Sequence, residues 1–272
     1  MANDEDYPTG PRLLPSVLNT VAALTLAIGA VLVPLTEPQP DAPTAAWFGQ
    51  SDSLLSLDPR AFTIWWAVAG VLSVFVVWQW TPRGRRSLRL ASIGFPAIVG
   101  GLAQLAWVLL ARAGLVVPTV ALLVVETGAL ALVAWRLTKY RASWVEHLAT
   151  DPGWGLALGL GCVQLLLGVG VVLDTLEPVD DDLHLVIVIA GLALFVAGAL
   201  GLAGRLYRQF AVGVGLVWGL AWLGWTRLVG EPRNLLLGLL AGLGCFIIAA
   251  GFYASGARRR ARVEGLEGAP LS

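Results

Sequence analysis

Glu126 stands inside the apolar run Val116 to Trp135, and no other carboxylate lies so deep in any apolar run of the chain. It comes ten residues after Val116 and nine before Trp135, near the middle of a bilayer-crossing helix that rises about 1.5 Å per residue. A charge there costs about 2.5–3.5 kcal/mol on insertion scales, so such a group is a functional-site candidate by default. Gln104 and Gln164 fall at similar depth in the preceding and following runs. Three consecutive helices can therefore offer Gln104, Glu126 and Gln164 to one polar pocket. Three chemistries fit this set: orienting a buried ligand, relaying a proton, or clamping helices together through a single hydrogen bond.

Aromatic residues gather on the outer side of this depth. Trp47 and Phe48 lie in a long proline-bearing connection, Trp65 and Trp66 lie where that connection meets the next apolar run, and Trp107 follows Gln104 by three residues. Indoles favour the boundary between polar and apolar solvent, where a hydrophobic ligand would also enter. Trp218, Trp222 and Trp225 are spaced four and three apart and form one helical stripe, either a membrane belt or the wall of a cavity. Trp78 and Trp80 precede Thr81-Pro82-Arg83 and read as an interfacial anchor.

Other chemistries find no residues. His147 and His184 are the only histidines and fall on opposite expected sides, so paired-histidine metal or haem ligation is not expected. Lys139, the only lysine, lies in a connection, which removes a Schiff base inside the span. No phosphate loop, nucleophile elbow or zinc-protease motif occurs, and we expect no enzyme, no cofactor and no nucleic-acid partner. Asp180 to Asp182 read as a solvated helix start rather than a cation site, and Cys162 and Cys245 as small core residues.

The elements that carry these groups are membrane helices. Hydrophobic residues make up 57% of the 272-residue chain and charged ones 13%, with a positive mean hydropathy, well outside the range of soluble domains. Eight runs reach the ~20 residues a bilayer core requires: 14–35, 61–80, 90–111, 116–135, 153–173, 183–204, 209–228 and 235–255. Basic residues concentrate on cytoplasmic loops, and with the N-terminus inside, 14 of the 18 Lys and Arg residues fall on that side. Arg60, Arg112, Arg227 and Arg233 fall on the other, with the acidic Glu37, Asp41, Asp52, Asp58, Asp174, Glu177 and Asp180 to Asp182. The expected protein is an all-α, eight-helix bundle in the cell membrane with both termini cytoplasmic. It comprises a tail over 1–13, one transmembrane domain over 14–255 and a basic tail over 256–272. Asp4, Glu5 and Asp6 precede the first run in place of a basic cluster, which favours a retained helix over a signal peptide.

Finer expectations follow from punctuation. Pro96 should kink the third helix, the short Ala113-Gly114-Leu115 turn makes the third and fourth helices antiparallel neighbours, and Asp151-Pro152 should cap and open the fifth. The first helix, interrupted only by Asn19, Thr20 and Thr25, reads as packing material.

Several of these residues occur in an order that resembles the TspO/MBR family, the tryptophan-rich sensory proteins related to translocator protein. The resemblance covers about residues 47–164: Trp47-Phe48, Pro59, Phe62 and Trp65, Gln104-Leu105 and Trp107, Glu126, then Pro152 with Gln164. The Lys-Pro and double-proline pattern before the second helix, an asparagine after the Gln-Leu pair and a Pro-Tyr-Leu opening of the fifth helix are missing. The compact family form has five helices, and the resemblance implies that the first and the sixth to eighth runs lie outside it. The resemblance implies binding of a tetrapyrrole such as a porphyrin, or a similar flat hydrophobic molecule, with a sensory or transport role.

The expected site has Trp47, Phe48, Phe62, Trp65, Trp66 and Trp107 as its apolar wall and Gln104, Glu126 and Gln164 as its polar groups. Two other classes stay open: a small-solute or proton-coupled transporter working through Glu126, and a structural membrane subunit. The glycine-rich helices also suggest a homodimer.

Overall fold

The computed structural model describes residues 13–37, 43–50, 53–140, 142–175, 180–206 and 208–267. Asp41, Asp52, Arg141, Glu177 and most of the N-terminal tail lie outside them, as do the last residues of the C-terminal tail. Eight long helices run in order: α1 (Leu13–Leu32), α2 (Ile64–Gln79), α3 (Gly94–Arg112), α4 (Val116–Lys139), α5 (Trp144–Thr175), α6 (Asp181–Arg205), α7 (Phe210–Val229) and α8 (Leu235–Glu267). Each contributes to a segment long and apolar enough to cross a membrane, which for α2 begins at Pro59, in the helical turn before it.

Helices α1 to α5 close into a ring in which α1 packs on α2 and α3, α4 on α3 and α5, and α2 on α5. The first helix is thus part of the ring. Gly101 explains its closeness, because a Cβ there would stand 2.5 Å from the Ala22 carbonyl. Outside the ring, α7 lies on α5, α8 on α7, and α6 chiefly on α8. Gly159 and Gly215 face one another across the α5–α7 contact. A Cβ on Gly215 would lie 2.9 Å from the Leu156 carbonyl, and one on Gly159 would run into the Val212 carbonyl.

Two helix starts differ from the sequence reading. α3 begins only at Gly94, after two short helical turns, Pro82–Arg86 and Leu88–Ala91. Pro96 therefore sits in the first turn, where the N–H it lacks would have no intrahelical partner. α5 begins at Trp144 and carries Pro152 within it. Its cap is Ser143, whose hydroxyl accepts from the Glu146 N–H at 3.2 Å; the Ser143-x-x-Glu146 spacing is a capping-box signal.

Asp151 does other work. Its carboxylate receives Arg89 Nη2 at 2.7 Å and Gln209 Nε2 at 2.8 Å, while Arg89 also donates to the Leu137 carbonyl and to Thr150. This buried network binds the α2–α3 connection, α4, α5 and the α6–α7 connection at one end of the bundle, called here the basic end. There Asn19 of α1 donates to the Leu90 carbonyl, and Thr20 accepts from Gln79 and Trp80. Asn19 and Thr20 therefore fasten α1 to α2 and its connection.

Candidate functional site

The opposite end is roofed by the α1–α2 connection. Its 3₁₀ turn Pro43–Phe48 ends at Gly49, whose φ of 73° suits glycine. A Cβ at Gly49 would strike the Leu57 carbonyl, so the connection doubles back tightly on itself. A second 3₁₀ turn, Pro59–Thr63, is capped by Asp58, which accepts from the Arg60 N–H at 2.8 Å. We call residues 43–63 the lid.

The lid turns its aromatics inward. Trp47 is fully buried, and its indole N–H donates to the Gln164 carbonyl at 3.1 Å. Its ring lies 3.5 Å from where a Cβ of Gly168 would stand, so the glycine makes room for the indole on α5. Phe48 stacks on Trp107 with ring centres 6.0 Å apart and planes 19° apart. Phe62 and Trp65 are buried beside Leu167 and Gln164. Trp66, expected in the same wall, faces outward with 46% of its surface exposed. Adjacent helical residues point about 100° apart, so Trp65 and Trp66 cannot share one wall. Of the α7 stripe, Trp218 and Trp222 form an edge-to-face pair at 6.0 Å, whereas Trp225 is exposed.

The polar trio is buried. None of the three bonds another: both amide atoms of Gln104, both amide atoms of Gln164 and both carboxyl oxygens of Glu126 are buried without a hydrogen-bond partner. Gln104 lies against α1, its Cγ 2.7 Å from where a Cβ of Gly29 would be. Glu126 faces α5, where Oε1 would lie 3.8 Å from a Cβ at Gly161. The Trp107 indole N–H approaches the Glu126 carboxyl without closing a hydrogen bond of ordinary geometry.

Two further orphaned groups inside the bundle were not singled out from the sequence: the Thr127 hydroxyl, which shares the Gly161 face of α5 with Glu126, and the Trp154 indole N–H, whose ring meets Phe75 edge-on. Adjacency to Glu126 does not set the direction of Thr127; the bare face of Gly161 on α5, which both side chains approach, brings them together. Trp154 resembles any other tryptophan at a helix start until α5 is known to begin ten residues earlier. A buried polar group left unpaired costs about 1–3 kcal/mol, so such a collection within one ring is a chemical feature in its own right.

The sequence singled out Trp218 and Trp222 as belt or cavity wall, but not that α7 holds the lid. Trp218 Nε1 donates to the Ala61 carbonyl at 2.8 Å, the Thr226 hydroxyl accepts from the Asp58 N–H at 3.1 Å, and the buried Arg227 donates to the Ser56 carbonyl at 3.3 Å. Arg60 lies 5.6 Å above the Trp222 ring. All four contacts come from α7. In this arrangement the space among Phe62, Trp65, Gln164 and Trp218 is only about 10 Å³, the size of one water.

Among the described residues no group of three His, Cys, Asp or Glu side chains converges as a metal site would require. No curated protein and no solved structure matches the chain. A family model described as TSPO-like protein matches residues 16–253, extending on both sides of the stretch whose motifs carry the resemblance. With that match over most of its length, and with its ring of five membrane helices and three more beside it, the chain belongs to the TSPO-like protein family.

Proposed function

We propose that this membrane protein binds a flat hydrophobic small molecule with polar edges in the lid-end half of the α1–α5 ring, and serves a sensory or transport role through it. Trp47, Phe48, Phe62, Trp65 and Trp107 supply apolar and stacking surface, and Gln104, Glu126 and Gln164 supply hydrogen bonds. The observation that carries this reading is the set of orphaned buried polar groups beside fully buried indoles. A ligand with an apolar body and hydrogen-bonding substituents matches both halves of that environment.

Drug-sized sites occupy about 300–1,000 Å³, so binding requires the lid to lift and Trp47 and Phe48 to re-pack against the ligand. Porphyrin is the probe that the family resemblance suggests. Titration should quench tryptophan fluorescence in the wild type, with weaker and non-saturating quenching in Trp65→Ala/Trp107→Ala. Equal quenching in both proteins overturns the reading.

The distribution of Arg and Lys supports a cytoplasmic placement of the basic end and of both termini. Outward-facing Gly70, Gly128 and Gly198, with open space where a Cβ would stand, are compatible with a homodimer. A second reading rests on Glu126 alone: a carboxyl with no cationic partner at mid-span suits a proton-coupled solute carrier. Vesicle uptake that survives Glu126→Gln unchanged rules that out.

A further inference from the structure

At the basic end, away from the lid, the chain leaves α2 through Trp80 and Thr81 and enters the short turn Pro82–Arg86. Thr81 accepts from the Gly84 N–H at 3.1 Å, and a Cβ on Gly84 would lie 2.5 Å from the Trp78 carbonyl. The turn is thus pressed against the end of α2, and Arg83 and Arg86, three residues apart, rise from one face of it. Across from them stand Tyr140, at the end of α4, and Glu146, in the first turn of α5. Together with Ser87 and Arg89 these residues line a cavity of about 380 Å³.

The charges in this cavity are unevenly committed. Arg89 is buried, and its guanidinium is taken up by Leu137, Thr150 and Asp151. Glu146 accepts the Ser87 hydroxyl at 2.7 Å. Arg83 and Arg86 are exposed, and neither pairs with a carboxylate among the described residues. Two guanidiniums with ten N–H donors between them therefore face a cavity that holds one already bonded carboxylate.

We propose that this cavity is a binding site for the phosphate of an anionic glycerophospholipid, held by Arg83 and Arg86 with the Tyr140 hydroxyl as a further donor. Guanidinium forks match phosphate oxygens in shape and charge. The membrane is the favoured source because of depth. Trp80, Trp135, Tyr140 and Trp144 are all partly exposed at this end, and such amphipathic rings settle at headgroup level. Lys139, 3.5 Å above the Trp135 ring, adds positive charge beside the cavity. Basic pockets among helix ends are recognised lipid-headgroup sites.

Native mass spectrometry of the full-length protein in detergent, titrated with phosphatidylglycerol or phosphatidylcholine, tests this. The wild type should retain phosphatidylglycerol in preference to phosphatidylcholine. Arg83→Ala/Arg86→Ala should weaken that retention about tenfold or more, and Glu146→Gln should strengthen it by removing the one negative charge at the rim. Arg112→Ala/Arg233→Ala removes two cations at the opposite end and should leave retention unchanged. Equal losses in the two arginine double variants, or wild-type retention in Arg83→Ala/Arg86→Ala, overturn the site. Displacement of phosphatidylglycerol by millimolar inorganic phosphate overturns the lipid as occupant in favour of a soluble phosphate. Thermal unfolding of each variant separates a lost site from a lost fold.

Discussion

The indole N–H of Trp47 in the lid donates to the backbone carbonyl of Gln164, 117 residues away and at the middle of α5. One hydrogen bond thus joins the roof of the site to a residue of its polar trio. Removing this donor while keeping an aromatic ring, as in Trp47→Phe, should loosen the lid by about 0.5–1.5 kcal/mol, the net worth of such a bond. Hydrogen exchange of residues 43–63 should speed up accordingly, with the amides of α3 and α4 unchanged.

Glu126→Gln keeps the shape of the side chain and removes its capacity to ionise. If the carboxyl hydrogen-bonds the ligand, porphyrin affinity should fall about tenfold while the melting temperature holds or rises, because a costly ionisable group has left the span. Fluorescence titration and thermal unfolding on the same preparation read both quantities.

Asp151→Asn leaves the Arg89 guanidinium buried beside a neutral amide. Removing one partner of a buried ion pair costs about 3–5 kcal/mol, so this variant should unfold at markedly lower temperature in detergent. Arg83→Ala, on the exposed face of the same connection, should change stability by less than about 0.5 kcal/mol.

The Asp58 carboxyl is held below the ordinary aspartate range chiefly by its hydrogen bonds from the Arg60 side chain, at 2.9 and 2.8 Å, with its charge adding to them. Its contribution is complete above the unfolded-state value of about 3.9 and is lost as pH falls through the lower folded value. Acidification below about pH 4 should therefore loosen the Pro59–Thr63 turn. Limited proteolysis of the lid should increase over that window in the wild type and not in Asp58→Asn, in which the lid is already loosened at neutral pH.

Gly159→Leu places a side chain where α5 and α7 touch backbone to backbone. The helices must separate, and with α7 go the contacts to Ser56, Asp58 and Ala61. Porphyrin should then associate faster in stopped-flow mixing, together with a loss of stability of about 1–3 kcal/mol from overpacking.

What could be read from the residues alone was whatever depends on long-range composition. Eight apolar runs specify eight membrane helices, and the ordered motifs from Trp47 to Gln164 specify the family. What could not be read depends on rotation and on partners. Trp65 and Trp66 are equivalent in composition, yet one helical step turns the first inward and the second outward. Asp151-Pro152 carries the signature of a helix start, but Ser143 had already begun α5, which freed Asp151 to meet Arg89. Arg227 reads as one more charge on the outer side, because nothing local reveals that Ser56 will fold across to it. In each case the competing influence is tertiary contact, to which a one-dimensional pattern is blind.

The lid is tied down partly from outside the ring that it covers, through α7. A chain cut after Thr175 would keep α1 to α5 and every aromatic that faces inward from them, yet Ser56, Asp58 and Ala61 would have nothing left to grip. Such a shortened protein would be a door without its hinge-side frame, standing ajar at rest. α7 is in this sense the latch, which makes whatever pushes on it sideways within the bilayer a hand on the handle.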